Sequence, residues 1–446
     1  MIYKSYTTAK LAEHALAINY ADLSDDILDR VEDCILDIIG CAIAGLDVPG
    51  TIFSRAVANT QYRNGDCAVW FTPLSLNATG AAFANSAAAS MLDIDDGHRL
   101  AMGHPGAAVI PAALAMVVEA KASVEEFYRA IVAGYDVSVR LGEAEIRKSY
   151  HTGNWTVFGA AITATLLKKM DIDQVIHALS VSAYHGPRLT DLTQSKEMGS
   201  HVKESIPWSV VAGLSATELA GAGFTGSRDA LDLENRFDPK IATRIDTVKH
   251  DISGVYFKKF STCRWTHSSI EALLNIMTRN NLIADDIQRV EVETFQQAAA
   301  LNNEVNPSTH ESAQYSLPFS LGVAAFLGEG ALSPLDKNCL SNKEIIDFAS
   351  RVFVSHRDEM DHYLPLRTPA KVTVTTASAK YYETVIDSWG DANSQTKRAD
   401  LREKFMHLAQ KRMSHAMALQ VVDGVDKLRT GDMAPLLTIL STPLDV

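Results

Sequence analysis

The stretch running from Met91 to Pro111, MLDIDDGHRLAMGHPGAAVIP, limits what this chain can fold into more than any other. Three aspartates (Asp93, Asp95, Asp96) and two histidines (His98, His104) crowd into a dozen residues. On one side stands the small apolar run AAFANSAAAS, and on the other GAAVIPAALAMVVEA. Both read as tightly packed helices. Polar groups held between two such helices are costly to bury unless they are paired or put to use. Any acceptable fold must resolve that tension.

The remaining helical signals agree with a largely helical frame. Ser24 is placed to cap a segment whose apolar residues Ile27, Leu28, Val31, Ile35, Ile38, Ile39 and Ile43 recur at steps of three and four, with Gly45 as its stop. Pro111 must sit near the first turn of its helix or kink it. Ser123 and Glu126 form a capping box, and Asp171 or Asp173 starts a further helix. Up to about residue 250 almost nothing alternates with period two. From about residue 268 the texture changes: IQRVEVETF, KVTVTT (371–376) and YYETVIDS (381–388) alternate as half-buried strands do, the last two as a hairpin. Helical patterns at 312–328 and 343–353 lie between them. After Gly390 the polar loop DANSQT returns the chain to helix. The expected fold class is therefore mainly α. Both chain ends (1–266 and 394–446) form a large all-helical domain, and 267–393 form a smaller inserted α+β lid domain, a division that 446 residues readily support.

Charge narrows the partners. With 54 acidic against 41 basic residues the net charge is −13, which argues against nucleic acid and anionic membranes, since both need a basic face. The uncharged runs near 78–92 and 105–118 fall short of the roughly 18 residues a membrane span requires. Five scattered cysteines (Cys34, Cys41, Cys67, Cys263, Cys339) form no CxxC pair, and Cys34 and Cys41 read as helix packing. That usage fits a reducing compartment with neither a disulfide framework nor a zinc cage. The N-terminal segment lacks the pattern of a signal peptide, so a cytoplasmic location is expected.

Four polar groups stand out as chemistry: Asp93 with His104; His151, ahead of a helix; Lys203, in MGSHVKESIPW; and VYFKKFSTCRWTH, with Lys258, Lys259, Arg264 and His267, where the two textures meet. In an interdomain cleft, such Lys, His and Arg residues would counter the protein's negative field and hold a carboxylate-rich small molecule. Histidines exchange protons near neutrality, and lysines brought close together can act as bases. Each group also has a plain structural reading. Asp95 and Asp96 can cap helices, His98 suits a surface loop, and His177 suits core or partner packing. Lys259 suits solvent, and His267 can simply begin the next helix. The Asp–His cluster could hold a divalent ion, but HExxH, EF-hand, GxGxxG, Walker and nucleophile-elbow patterns are all missing. No metal is expected.

In order along the chain, LDIDDGH, GHPGAAVIPAALA, HTGNWTVFGAA, the lysine at 203 with AGFTG downstream, YFKKFSTCRWTH and AQYSLPFS resemble the MmgE/PrpD family. The family includes 2-methylcitrate dehydratase, cis-aconitate decarboxylase and iminodisuccinate epimerase. The resemblance implies a homodimer without cofactor, an active site between the domains, and roles for Asp93, His104, His151, Lys203 and Lys258. Where the family's decarboxylase uses a tyrosine in the segment matching QYSLPFS, this chain carries Phe319.

Such enzymes make or break a C–H bond beside a carboxylate, and preorganised Lys and His donors lower that barrier by a few kcal/mol each. The expectation is that Lys203, Lys258 and His104 bind a dicarboxylate while His151 and a lysine exchange the proton. Asp93 orients or charges its histidine neighbour, and Arg264, His267 and Phe319 line the substrate. Without a tyrosine hydroxyl at Phe319, the expected reaction is epimerisation of an iminodisuccinate-like amino-dicarboxylate, which needs no leaving-group acid. The alternatives are a 2-methylcitrate dehydratase-type hydro-lyase on a tricarboxylate, and an inactive helical dimer serving as a scaffold.

Overall fold

The computed structural model describes residues 5–146, 151–188, 200–233, 236–244, 249–392 and 396–444. Among these, nineteen α-helices stand against eight strands, most of the strands short, so the fold is mainly α. The first nine helices are α1 (Thr7–Ala17), α2 (Asp25–Gly45), α3 (Pro49–Gln61), α4 (Ala78–Ser90), α5 (Gly106–Ala120), α6 (Val124–Ala144), α7 (Gly153–Leu167), α8 (Ile172–His185) and α9 (Ile206–Gly221). The strands are β1 (Cys67–Ala68), β2 (Ser75–Leu76), β3 (Gly97–His98), β4 (Val255–Tyr256), β5 (Ile287–Thr294), β6 (Val352–His356), β7 (Ala370–Thr376) and β8 (Lys380–Val385).

Helix α7 is the axis of the larger core. All fifteen of its residues are buried, as expected of a helix apolar on every side, and it packs on α5, α6, α8 and α9. Its small side chains permit this: Gly159 and Gly134 of α6 face one another, and Gly213 of α9 lies against the α7 backbone. The apolar stripe of α2 is buried as its spacing predicts, each large aliphatic side chain contributing roughly 1.5–3 kcal/mol. Ser24 stands at the N-cap of α2 without a side-chain cap bond, and Asp25 and Asp26 complement the helix dipole there. The capping boxes of Ser123 with Glu126 and of Asp171 with Gln174 form. Pro111 is carried inside α5.

Gly45 plays a different part from the one expected. It is the last residue of α2, and a Cβ there would meet the Ala88 carbonyl oxygen of α4 at 2.1 Å. The glycine serves close helix approach.

The α+β unit holds a four-stranded sheet of order β6-β5-β7-β8. The alternation of β5 and β7 buries Val290 against Val374 and Val292 against Val372 in antiparallel register, and β7 and β8 form the expected hairpin. Strand β6 escaped the sequence reading. The helix expected over 343–353 ends at Ala349, and Val352–His356 pair in parallel with β5. β6 is an edge strand, mostly open to solvent, so burial imposes no alternation on it. A second hydrophobic core, drawn from residues 260–385, lies between this sheet and the helices His267–Asn280 and Leu317–Leu327.

Beyond β8, part of the loop DANSQT (393–395) lies outside the described residues. The helices Arg398–Ala409 and His415–Leu428 then pack on α2, and their apolar residues join the larger core. Lys404 reaches inward to Asp37 and to the Ile94 carbonyl. All five cysteines are free and buried. No single described helix is long and apolar enough to cross a membrane.

Helix propensity alone would have Gly45→Ala stabilise α2 by up to about 1 kcal/mol. The close approach to Ala88 predicts the opposite, a loss of ~1–3 kcal/mol, measurable by urea unfolding. A stabilised variant would remove close approach as the reason for the glycine.

Candidate active site

The polar loop between α4 and α5 is turned inward. Asp93 adopts a left-handed backbone (φ 53°), a conformation that costs a non-glycine residue on the order of 1 kcal/mol. Its neighbours pin it. The Ile94 carbonyl accepts from Lys404 Nζ at 2.8 Å. Asp96 accepts from the Gly106 N–H at 2.9 Å and from the Tyr135 hydroxyl at 2.7 Å. Asp96 therefore does hold the start of α5, as a cap would. Asp95 caps nothing and is buried.

Three cations or potential cations meet at one oxygen. Lys258 Nζ lies 2.9 Å, His104 Nε2 3.5 Å and Lys203 Nζ 3.6 Å from Asp93 Oδ1, with all four side chains almost wholly buried. Burial by itself would push the Asp93 carboxyl up. The Lys203 and Lys258 ammoniums, with His104, outweigh it and hold the group at about 2. Burial pushes Asp95 well above the usual carboxylate range, and Lys258 only partly opposes this. Two adjacent carboxyls are thus pushed in opposite directions.

His104 has a defined tautomer. Its Nδ1 lies 2.8 Å from the Asp96 carbonyl oxygen, which can only accept, so Nδ1 carries the proton. The 3.5 Å approach of Nδ1 to Asp95 is then not an ion pair. Burial, then Lys258, hold His104 down to about 4 against the pull of Asp93. The ring is neutral at physiological pH, and Nε2, without a hydrogen-bond partner, keeps a lone pair that can take a proton.

Lys203 opens a turn in which Lys203 (φ 41°), Glu204 (φ 54°) and Ser205 (φ 57°) are all left-handed. Three successive non-glycine residues there are strained, and strain of this kind clusters at working sites. The turn is tied to the start of α7: Glu204 accepts from the Thr152 hydroxyl, and Ser205 Oγ lies 3.4 Å from His151 Nε2. Burial raises Glu204 to about 7 and lowers His151 to about 4. Lys203 donates to Gln314 Oε1 at 3.1 Å, Gln314 is anchored on the Met91 carbonyl, and the Tyr315 ring lies under the ammonium at 5.5 Å.

Of the residues singled out in the sequence, Asp93, His104, Lys203 and Lys258 come together, and His151 stands one layer away across the Lys203 turn. Three do not join them. Phe319 is fully buried in the second core. The terminal nitrogens of Arg264 are taken by Asp391 and by backbone carbonyls. His267 lies against Phe260, with Arg264 and Thr262 at its ring nitrogens. His98 is a correction: it is buried, not at the surface, and forms part of the β3–β4 pair. Lys259 is half-buried and pairs with Glu329, and His177 lies near Arg228. Gln314, Tyr315, Thr152 and Glu204 were not foreseen. Tyr315 was visible within AQYSLPFS, one helical turn before the residue that drew attention. The donor atoms of Asp93, Asp95 and His104 lie within 4.8 Å of one another, as a cation site requires, and Lys258 Nζ lies on Oδ1 of the same Asp93 carboxylate.

Comparison with known proteins identifies the family. The MmgE/PrpD N-terminal domain matches residues 9–244 and the MmgE/PrpD C-terminal domain residues 260–428, so the chain belongs to the MmgE/PrpD family. Among its relatives, the cis-aconitate decarboxylase of Aspergillus terreus (strain NIH 2624 / FGSC A1156) is 22% identical, over 99% of this chain and 97% of that protein. The cis-aconitate decarboxylase-like protein oryM of Aspergillus oryzae is 21% identical, over 98% of each.

A histidine held below its unfolded value of about 6.5 favours the folded state above that pH. The contribution is lost as pH falls from about 6.5 toward the folded value of about 4. In carbon–proton NMR of the folded protein, the His104 and His151 rings should therefore titrate near pH 4. Midpoints near 6.5 would show that the rings are not shielded as described.

Proposed function

We propose that the protein is a lyase acting on a cis-aconitate-like tricarboxylate. The observation that carries the reading is the charge count around Asp93. Two buried lysines, Lys203 and Lys258, converge on the one carboxylate of Asp93 and hold its pKa low, while burial pushes that of Asp95 up. Excess buried positive charge is costly, and an anionic ligand offsets it. Several carboxylates on one small molecule suit two lysines and a set of neutral donors better than one does.

The epimerase expected from the sequence lacks support. It rested on the missing hydroxyl at Phe319, yet Phe319 lies in the second core, and Tyr315 brings a phenol under Lys203. Burial raises that phenol's pKa well above the ordinary value, so it keeps its proton as a hydrogen-bond donor. The relatives found are a cis-aconitate decarboxylase and a cis-aconitate decarboxylase-like protein, which favours the lyase among the readings weighed. The inactive scaffold is disfavoured too, since a protein without chemistry has no need to bury these charges.

In the decarboxylation, the electron pair of the breaking C–C bond forms a new C=C while the old C=C takes a proton at its far carbon, and CO2 departs. Lys203 and Lys258 steady the remaining carboxylates as charge spreads onto them, and Tyr315 or Lys258 supplies the proton. A second reading, loss of water from a hydroxy-tricarboxylate, uses the same lysines, with Tyr315 protonating the departing hydroxyl. The homodimer, an expectation drawn from the family, and the cytoplasmic location, one drawn from the cysteine usage and the N-terminal segment, belong to this proposal, and size-exclusion chromatography with light scattering tests the first.

Turnover in D2O separates the reactions. A decarboxylase releases CO2 and leaves one deuterium on the product, a hydro-lyase creates ultraviolet absorbance from a new C=C, and an epimerase would wash deuterium into unreacted substrate with neither change. Lys258→Met should lower kcat/KM by ~10²–10³-fold with the far-ultraviolet circular dichroism unchanged. A rate like that of the unaltered protein would remove Lys258 from the site.

A further inference from the structure

The carboxylate of Asp391 lies where the chain leaves the α+β unit, and it binds two arginines from opposite halves of the site. Arg99 reaches it with Nε and Nη2, each at 2.9 Å. Arg264 reaches it with Nη2 at 2.8 Å. Arg99 belongs to the loop that carries Asp93 and His104, and Arg264 to the segment that carries Lys258. The ring of Tyr256 lies beside both guanidiniums, with centroid distances of 4.7 Å and 5.0 Å.

The turn bearing Asp391 also grips the residue next to Lys258. The Phe257 N–H donates to the Gly390 carbonyl at 2.9 Å, and the Phe257 carbonyl accepts from Arg264 Nη1 at 3.1 Å. Arg264 Nη1 also donates to the Trp389 carbonyl at 2.8 Å and Nη2 to the Ser388 carbonyl at 3.1 Å. Gly390 is left-handed (φ 88°), and a Cβ there would meet the Phe257 carbonyl oxygen at 2.1 Å, so the turn can close this tightly only with glycine. Fork-shaped contacts to a buried carboxylate fix geometry as well as charge.

We propose that Asp391, Arg99 and Arg264 form an ionic clasp that sets the separation between Lys258 and Asp93, which makes the three positioning residues and not substrate contacts. The proposal rests on the lyase reading only for its kinetic readout. Misplacing a reacting group by about 1 Å costs on the order of 10²-fold in rate.

The test uses the full chain with Asp391→Asn, Arg264→Lys and Arg99→Lys. A clasp predicts that kcat falls by about 10²-fold while KM stays close to that of the unaltered protein, and that crystals of the variants show Lys258 Nζ further from Asp93 Oδ1 than the present 2.9 Å. A rise in KM at unchanged kcat would return Arg264 to substrate binding and overturn the proposal. So would a lower unfolding midpoint with kcat untouched, the mark of a merely structural role. Should Asp391→Asn fail to fold, the two arginine-to-lysine variants keep the charge and carry the same readouts. If the unaltered protein acts on no tricarboxylate, the lyase reading fails alone, and the Lys258–Asp93 distance in Arg99→Lys crystals still decides: an unchanged 2.9 Å overturns the clasp.

Discussion

The interaction on which the rest of the molecule depends is the ion pair of Asp93 with two lysines in a space nearly closed to water. A buried ion pair is a poor source of stability, because stripping water from the charges costs about as much as their attraction returns. It persists here within a backbone that is itself strained at Asp93 and at the turn from Lys203 to Ser205. Surrounding structure must hold both, and it does so through fixed bonds: Lys404 on the Ile94 carbonyl, Tyr135 and Gly106 on Asp96, Thr152 on Glu204. These supports come from the returning C-terminal helix, from α6, from α5 and from the start of α7. Chain segments hundreds of residues apart are thereby committed to one small volume.

The helical frame contributes more than rigidity. His104 stands just before α5, His151 before α7, Lys203 before α9 and Tyr315 before the helix Leu317–Leu327. Four largely buried helices therefore begin at or beside the site, and the partial positive charge at each N-terminus adds to the field of the lysines. Chemistry placed at the ends of packed helices inherits their precision. Glycine contacts such as Gly134 with Gly159 bring those helices close enough for their starting points to share a site.

Much of this was legible in the sequence, for physical reasons that can be named. Apolar steps of three and four marked α2, and Ser123 with Glu126 marked the start of α6, because both signals are local. The alternation of β5 and β7 was visible because each has one face in the core. β6 was not, because an edge strand open to solvent carries no such imprint. The polar loop advertised itself, since Asp93 and His104 have no plain reason to lie between apolar helices. The errors share one cause: partners distant in sequence decide a side chain's role. His98 looks like a loop residue until Val255 pairs with it. Arg264 looks free until Asp391, more than a hundred residues later, claims it. Phe319 drew attention as the site of a missing hydroxyl, although a phenol stood one turn earlier at Tyr315.

The charge balance links stability to function. With both lysines buried against Asp93 and the Asp95 carboxyl pushed toward its protonated form, the site gathers positive charge, a state that burial disfavours. Converting the lysines to apolar residues would ease that cost for the fold, yet the sequence keeps them and spends Gln314, Glu204 and Lys404 on holding the arrangement open. Local rules of folding are broken where a site needs them broken. The ligand that best repairs the imbalance brings its own negative charge, in more than one place and close to the carbon that reacts. Charge developing on that carbon then meets ammoniums already fixed and already stripped of water, so little reorganisation is left for the moment of reaction.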